Sequence, residues 1–219
     1  MASPLSSDPS LAAFGSSLTA ITLAELGDKT FFMALILAVR HRARWVFIGS
    51  FAALTAVTLI SLALGYGLRE LLPQSLVPWL AAVLFLSFGI KLLIDAQGMA
   101  ANAATEEKAE AEQVINTAES SKVFNTAWAV IWEAFVLVFI AELGDRTQFT
   151  TIFMATAPAQ VFSFGGLLAG TLLGHALVTW LAVGAGKWIG QWVNERLLYR
   201  LSGGLFLVFG LAALSQALS

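Results

Sequence analysis

Two nearly identical strings, Ala24-Glu25-Leu26-Gly27-Asp28-Lys29-Thr30 and Ala141-Glu142-Leu143-Gly144-Asp145-Arg146-Thr147, stand in the middle of long apolar runs at an offset of 117 residues. Together they bring six formal charges to places where the surrounding sequence is apolar. An Asp, Lys or Arg at the centre of a membrane helix costs roughly 2.5–3.5 kcal/mol on insertion scales. A chain that meets this cost twice, in the same acid–acid–base order, can fold only if the charged segments turn away from lipid and toward one another.

The apolar runs themselves set the class. Of the 219 residues, 58% are hydrophobic and 12% charged, whereas soluble domains carry about 45–50% and about 25%. Several runs exceed the ~18 residues that span a bilayer, so the expected fold is an all-α membrane protein. The absence of cysteine excludes a disulfide framework, thiolate metal ligation and CxxC chemistry. Met1–Ser10 has no basic segment, and the first apolar run is longer than the core of a signal peptide, so that run is read as a transmembrane helix.

Six spans are expected. The first covers Leu11–Val39 with Glu25 at its centre and is followed by the basic cluster Arg40-His41-Arg42-Ala43-Arg44. The second runs from Trp45 to Tyr66 and the third from Val77 to Ala96, separated by a connection holding Arg69, Glu70, Pro73 and Pro78. Residues 97–127 form the one hydrophilic stretch, acidic and rich in Ala, Glu and Lys, which favours an exposed or frayed helix. The fourth span covers Trp128–Ala157, with Glu142 near its middle. Pro158 and Ala159 turn the chain, and the fifth span extends to Ala185. An amphipathic connection with Lys187, Trp188, Trp192, Glu195, Arg196 and Arg200 leads to the sixth span, Leu201–Leu218.

The repeat reaches beyond the strings. At the same offset Gly49 falls on Gly166, Ala52 on Ala169 and Gly67 on Gly184; in the third helices Leu86–Ile90 matches Leu207–Leu211 at an offset of 121. The chain therefore divides into a three-helix repeat (1–96), an acidic linker (97–127) and a second three-helix repeat (128–219). Three helices per repeat is an odd number, so the halves cross the membrane in opposite senses, the inverted-repeat plan of many secondary transporters. Arg40, Arg42, Arg44, Lys91, Lys108, Lys122, Lys187, Arg196 and Arg200 gather on one side and Arg69 on the other. This puts the linker in the cytoplasm and both termini across the membrane. The Arg40–Arg44 cluster is on this reading a topology signal, not a nucleic-acid patch. Small residues (Gly49, Ala52, Ala53, Gly166, Gly170) are read as helix-packing contacts.

Within each string the acids are three apart, which on a helix places them on one face. Folding the repeats about a pseudo-two-fold axis then collects Glu25, Asp28, Glu142 and Asp145. Such an oxygen-rich set suits hard divalent cations, among them Ca²⁺, Mg²⁺ and Mn²⁺. Gly27 and Gly144 weaken the helix between the acids, and unwinding there frees carbonyls as further ligands, so spans 1 and 4 are expected to be interrupted at the strings. Four carboxylates with Lys29 and Arg146 leave a formal −2, which one divalent cation or two protons would neutralise. The reading is metal/proton antiport by alternating access, with no prosthetic group and with the bilayer, the cation and protons as partners.

Supporting roles follow with alternatives. Lys29 and Arg146 pair with the site acids rather than snorkelling to an interface. Thr30 and Thr147 supply hydroxyl ligands or bond back to helix carbonyls. Gln148 and Thr150 extend the polar face of the second half only, where Phe31 and Phe32 stand in the first. His175, inside span 5, relays protons, lines the path or packs as a hydrogen-bonded histidine. Glu133 is an acid at the mouth of the path or faces headgroups, and the acidic linker is a solvated connection or gathers cations.

The doubled Glu-x-Gly-Asp-[Lys/Arg]-[Ser/Thr] string, set in six helices around an acidic middle loop, resembles the GDT-type cation/proton antiporters, which include Golgi and chloroplast-envelope manganese transporters and bacterial relatives. Glu25–Thr30 and Glu142–Thr147 match that pattern without departure, and the resemblance covers nearly the whole chain. It implies Mn²⁺ and Ca²⁺ as transported ions, exchange for protons, movement out of the cytosol, and a prokaryotic plasma membrane or a cyanobacterial thylakoid. Three other functions compete. A cation channel is disfavoured by the bases beside the acids, and an intramembrane aspartyl protease by four carboxylates where hydrolysis needs two. An exporter of small organic cations is disfavoured because no aromatic lining accompanies the strings.

Overall fold

The computed structural model of the protein describes residues 8–98, 104–119, 126–157, 162–189 and 195–218. Every regular element among them is helical: α1 (Pro9–Glu25), α2 (Lys29–Arg40), α3 (Ala43–Leu71), α4 (Val77–Gly98), α5 (Ala104–Glu119), α6 (Ala127–Glu142), α7 (Arg146–Thr156), α8 (Phe164–Ile189) and α9 (Glu195–Leu218). Local chemistry sets the starts. Asp8 accepts a hydrogen bond from Ser10 N at 2.9 Å with Pro9 at the first helical position, and Thr126 accepts from Ala129 N at 3.2 Å.

Four helices are long and apolar enough to cross a membrane: α3, α4, the 164–184 part of α8 and the 196–218 part of α9. The pair α6–α7 makes a fifth span if taken as one element bent by 68°. The first-half pair is broken at the matching place, and α1 contributes 17 residues to it. Large apolar side chains including Trp128, Trp132, Ile140, Val208 and Leu211 stand outward. In water that would be a large exposed apolar surface; for helices of this length it is the lipid-facing side of an integral membrane protein.

The helices pair in a crossed manner. Helix α1 lies along α8, α3 packs against α6 and α7, and α4 runs along α9. Glycine permits the closest crossings: a Cβ at Gly49 would stand 2.3 Å from Ile131 O, and one at Gly166 would stand 2.4 Å from Ser10 O. Small residues let helix backbones approach where lipid supplies no hydrophobic drive to association. Gly49, Gly166 and Gly170 are thus the packing contacts expected of them.

Two expectations are corrected here. The linker segment is a helix, but not a merely exposed one: Ala111 and Ile115, one turn apart, are fully buried in a cluster with Phe31, Ile36 and Leu37 of α2. The Ala/Glu/Lys composition hid an apolar stripe that α2 covers. The connection before the last span is also shorter than expected, because α8 continues to Ile189 and α9 already begins at Glu195, taking Arg196 and Arg200 into the helix. Trp192, Pro158, Ala159 and Lys122 lie outside the described residues.

Candidate functional site

Both strings fold in the same way. Helix α1 ends at Glu25, Leu26 is extended, Gly27 takes φ +77°, and Asp28 becomes the residue preceding α2. Helix α6 ends at Glu142, Leu143 is extended, Gly144 takes φ +86°, and Asp145 precedes α7. In each, the Asp N–H donates to the Glu carbonyl three residues back, at 3.2 Å. A positive φ strains any residue with a Cβ. At Gly144 nothing lies within 4 Å of where a Cβ would stand, so backbone conformation and not space demands glycine there.

The break changes why the acids meet. A continuous helix would bring Glu25 and Asp28 together by periodicity; here they sit on opposite sides of a turn, one ending a helix and the other beginning the next. The break leaves the last carbonyls of α1 without helical partners, and other groups take them up rather than leaving them open as cation ligands: Leu23 O accepts from Ser202 Oγ at 2.7 Å and Glu25 O from Asp28 N at 3.2 Å. The hydroxyl that closes each string reaches back across the break. Thr30 Oγ1 donates to Glu25 Oε2 at 3.0 Å, and Thr147 Oγ1 stands 3.1 Å from Glu142 Oε2 and 3.2 Å from Asp145 Oδ2. Neither threonine makes the alternative bond to its own helix.

Glu25 and Glu142 are 2% and 1% exposed, and in each the second carboxylate oxygen, Oε1, has no hydrogen-bond partner. Glu25 and Glu142 each lie within electrostatic range of the other three string acids. Among the described residues, however, no three acid or histidine side chains converge closely enough to hold a metal ion as they stand. One of these acids is held by Arg146 instead. From the second repeat its Nη2 pairs with Asp28 of the first and donates to Ala24 O at 3.2 Å, capping the end of α1, while its guanidinium lies over the Tyr199 ring at 5.4 Å.

Lys29, the counterpart of Arg146, does not follow suit. The expected pairing with site acids is replaced by an ion pair with Glu110 of the linker helix at 3.0 Å, because α5 docks alongside α2 and the long side chain extends toward it. Gln148 accepts a hydrogen bond from Gly144 N at 2.7 Å, tying down an amide that the break leaves open. Thr150 is turned the other way, donating to Arg146 O at 2.7 Å. Glu133 is buried and stands 3.5 Å from His41 Nε2, not among headgroups as one reading of it had it.

His175 is buried on α8, with Nδ1 3.5 Å from Glu25 Oε1. A cavity of about 370 Å³ reaches Asp28, Asp145 and Arg146 and is lined also by Lys91, Asp95 and Tyr199. Tyr199 and Asp95 belong to neither string, and no motif in the sequence marks them. The one available signal for Asp95 was a lone acid, one turn after Lys91, at the end of an apolar helix.

The sequence carrying this site matches known proteins. The model of a family described as divalent cation/proton antiporter GDT1 matches residues 13–100 and 130–219, taking in both strings. The chain belongs to the GDT1 family. That is a family of transporters, and the resemblance read from the strings holds. A GDT1-like protein of the cyanobacterium Synechocystis is 39% identical over 204 residues, covering 93% of this chain and 97% of its own. GDT1-like protein 1 (chloroplastic) of rice, Oryza sativa subsp. japonica, is 35% identical over 217 residues, and protein PAM71 (chloroplastic) of Arabidopsis thaliana is 37% identical over 214 residues. Each of these two again matches 93% of this chain, which spans 62% and 56% of their respective lengths. No solved structure matches the chain.

Proposed function

We propose that the chain is a six-span secondary transporter of two inverted three-helix repeats (1–96 and 128–219) joined by a cytoplasmic linker (97–127). On this reading it exports Mn²⁺ and Ca²⁺ from the cytosol in exchange for protons. Glu25, Asp28, Glu142 and Asp145 form one shared cation site, with Thr30 and Thr147 beside it. The observation that carries the reading is the matched pair of breaks: each delivers a buried glutamate with one oxygen held by a threonine and the other left open. The crossed packing supports the repeat, since the first span of each half lies against the second span of the other and the third spans pair together.

Arg146 gives the exchange its order. In the present arrangement its positive charge stands in for part of a cation's, held on Asp28 at the end of α1. A divalent ion entering from the cavity replaces the guanidinium, gains Asp28 as a ligand and joins the open glutamate oxygens. Protons compete for the same carboxylates, so metal and protons occupy the site alternately. A fixed positive charge inside the path also fits a carrier better than an open cation pore. Family membership and the integral membrane fold support the reading, and the expected membrane is the prokaryotic plasma membrane or a thylakoid.

The test is Mn²⁺ and Ca²⁺ flux into proteoliposomes with and without an imposed proton gradient. The proposal expects gradient-driven, saturable uptake that is lost in Glu25→Gln and Asp145→Asn although both variants insert. Uptake indifferent to the gradient, or wild-type rates in either variant, overturns it.

A further inference from the structure

One histidine in the membrane core faces a proposed ligand without bonding to it. His175 Nδ1 and Glu25 Oε1 are 3.5 Å apart, both are buried, and neither has a hydrogen-bond partner. They come from different elements, α8 and the end of α1, which pack along each other through Gly166, Gly170 and Gly174. Gly174, next to His175, lies against Ile21 and Thr22, so the histidine is held at the depth of the break by close backbone contact.

Two unbonded acceptor-capable atoms facing each other in an apolar interior are costly unless something sits between them. A proton would draw them into a hydrogen bond of about 2.7–2.9 Å. A metal ion would not. Donor atoms bonded to one ion at roughly 2.0–2.4 Å and at right angles to each other lie about 2.8–3.4 Å apart, close to the spacing here. Resting on the transport reading above, we propose that His175 Nδ1 is a nitrogen ligand of the transported ion, joining Glu25 Oε1, and that it sets the preference for a transition-metal divalent cation over Ca²⁺.

The chemistry of selection is direct. Calcium takes oxygen donors and gains little from imidazole, whereas first-row transition metals accept nitrogen readily. An all-carboxylate site made by the two strings alone would treat Ca²⁺ and Mn²⁺ as near equals. A single imidazole, placed on one side of a pseudo-symmetric site, tilts that balance. The second repeat supplies the imidazole, and the corresponding position of the first repeat is Thr58, whose hydroxyl donates to its own helix at Leu54 O (2.8 Å).

The test compares His175→Asn and His175→Ala with the wild type in two measurements. In proteoliposomes, the ratio of Mn²⁺ to Ca²⁺ uptake should fall about tenfold in both variants, the scale on which loss of one metal-site partner is felt, while Ca²⁺ uptake persists. In detergent, pulsed electron paramagnetic resonance on the Mn²⁺-loaded protein should show a directly bound ¹⁴N in the wild type that disappears in His175→Asn. A wild type that binds Mn²⁺ without nitrogen coupling, or variants that lose Mn²⁺ and Ca²⁺ uptake together, would overturn the ligand assignment and leave the transport reading standing. A wild type that moves neither ion overturns the transport reading itself.

Discussion

The clasp between Arg146 and Asp28 can be weighed without any transport assay. Their side chains are 17% and 11% exposed, so both are mostly withdrawn from solvent. Removing one member of such a buried pair strands the other and typically costs 3–5 kcal/mol; with some residual exposure, about 3 kcal/mol is expected for Arg146→Gln. Asp28→Asn should cost less, about 2 kcal/mol, because Asp145 also lies within electrostatic range of Arg146 and remains to offset it. If the two acted independently, the double variant would lose the sum, about 5 kcal/mol. It should instead lose only about 2 kcal/mol, because no charge is left unpaired, giving a coupling of about 3 kcal/mol. The assay is reversible unfolding in mixed micelles, followed by tryptophan fluorescence for all four proteins. Additive losses within about 0.5 kcal/mol would show that the two residues do not interact and would refute the clasp.

Gly144→Ala should cost about 1 kcal/mol through its φ of +86° alone, as no neighbour obstructs the new methyl, and circular dichroism melting will report it. Gly49→Leu should abolish the folded state, since even its Cβ would fall 2.3 Å from Ile131 O, whereas Gly67→Ala, with open space, should raise stability by about 0.5–1 kcal/mol; size-exclusion profiles and melting separate the two. Ile115→Asp should release α5 from α2 and speed limited proteolysis within residues 104–119, because it buries a charge against Phe31 and Leu37. Glu110→Gln should leave stability within about 0.5 kcal/mol of wild type, as its partner Lys29 is 32% and Glu110 itself 64% exposed.

Much of this was legible in the chain because the membrane leaves few alternatives. Long apolar runs can only be helices, and a Gly between two acids at mid-run marks a break whose consequence is visible at Gly27 and Gly144. The doubled string also carried the family. What could not be read were relations set by tertiary packing. Lys29 and Arg146 occupy equivalent places in sequence yet go to different partners, because α5 lies beside one and Asp28 beside the other. His175 and Glu25 are 150 positions apart, and only the seating of α8 on α1 makes them neighbours. Ala111 and Ile115 look like part of a solvated acidic helix until α2 covers them.

The central claim is that two breaks build one site. Equilibrium Mn²⁺ binding to the purified protein tests it most directly, measured for the wild type, Glu25→Gln and Glu142→Gln. The account predicts one ion per chain in the wild type and no binding in either variant, since each removes a ligand from a shared shell. Two ions per chain in the wild type, with one surviving in each variant, would mean that the repeats bind metal separately.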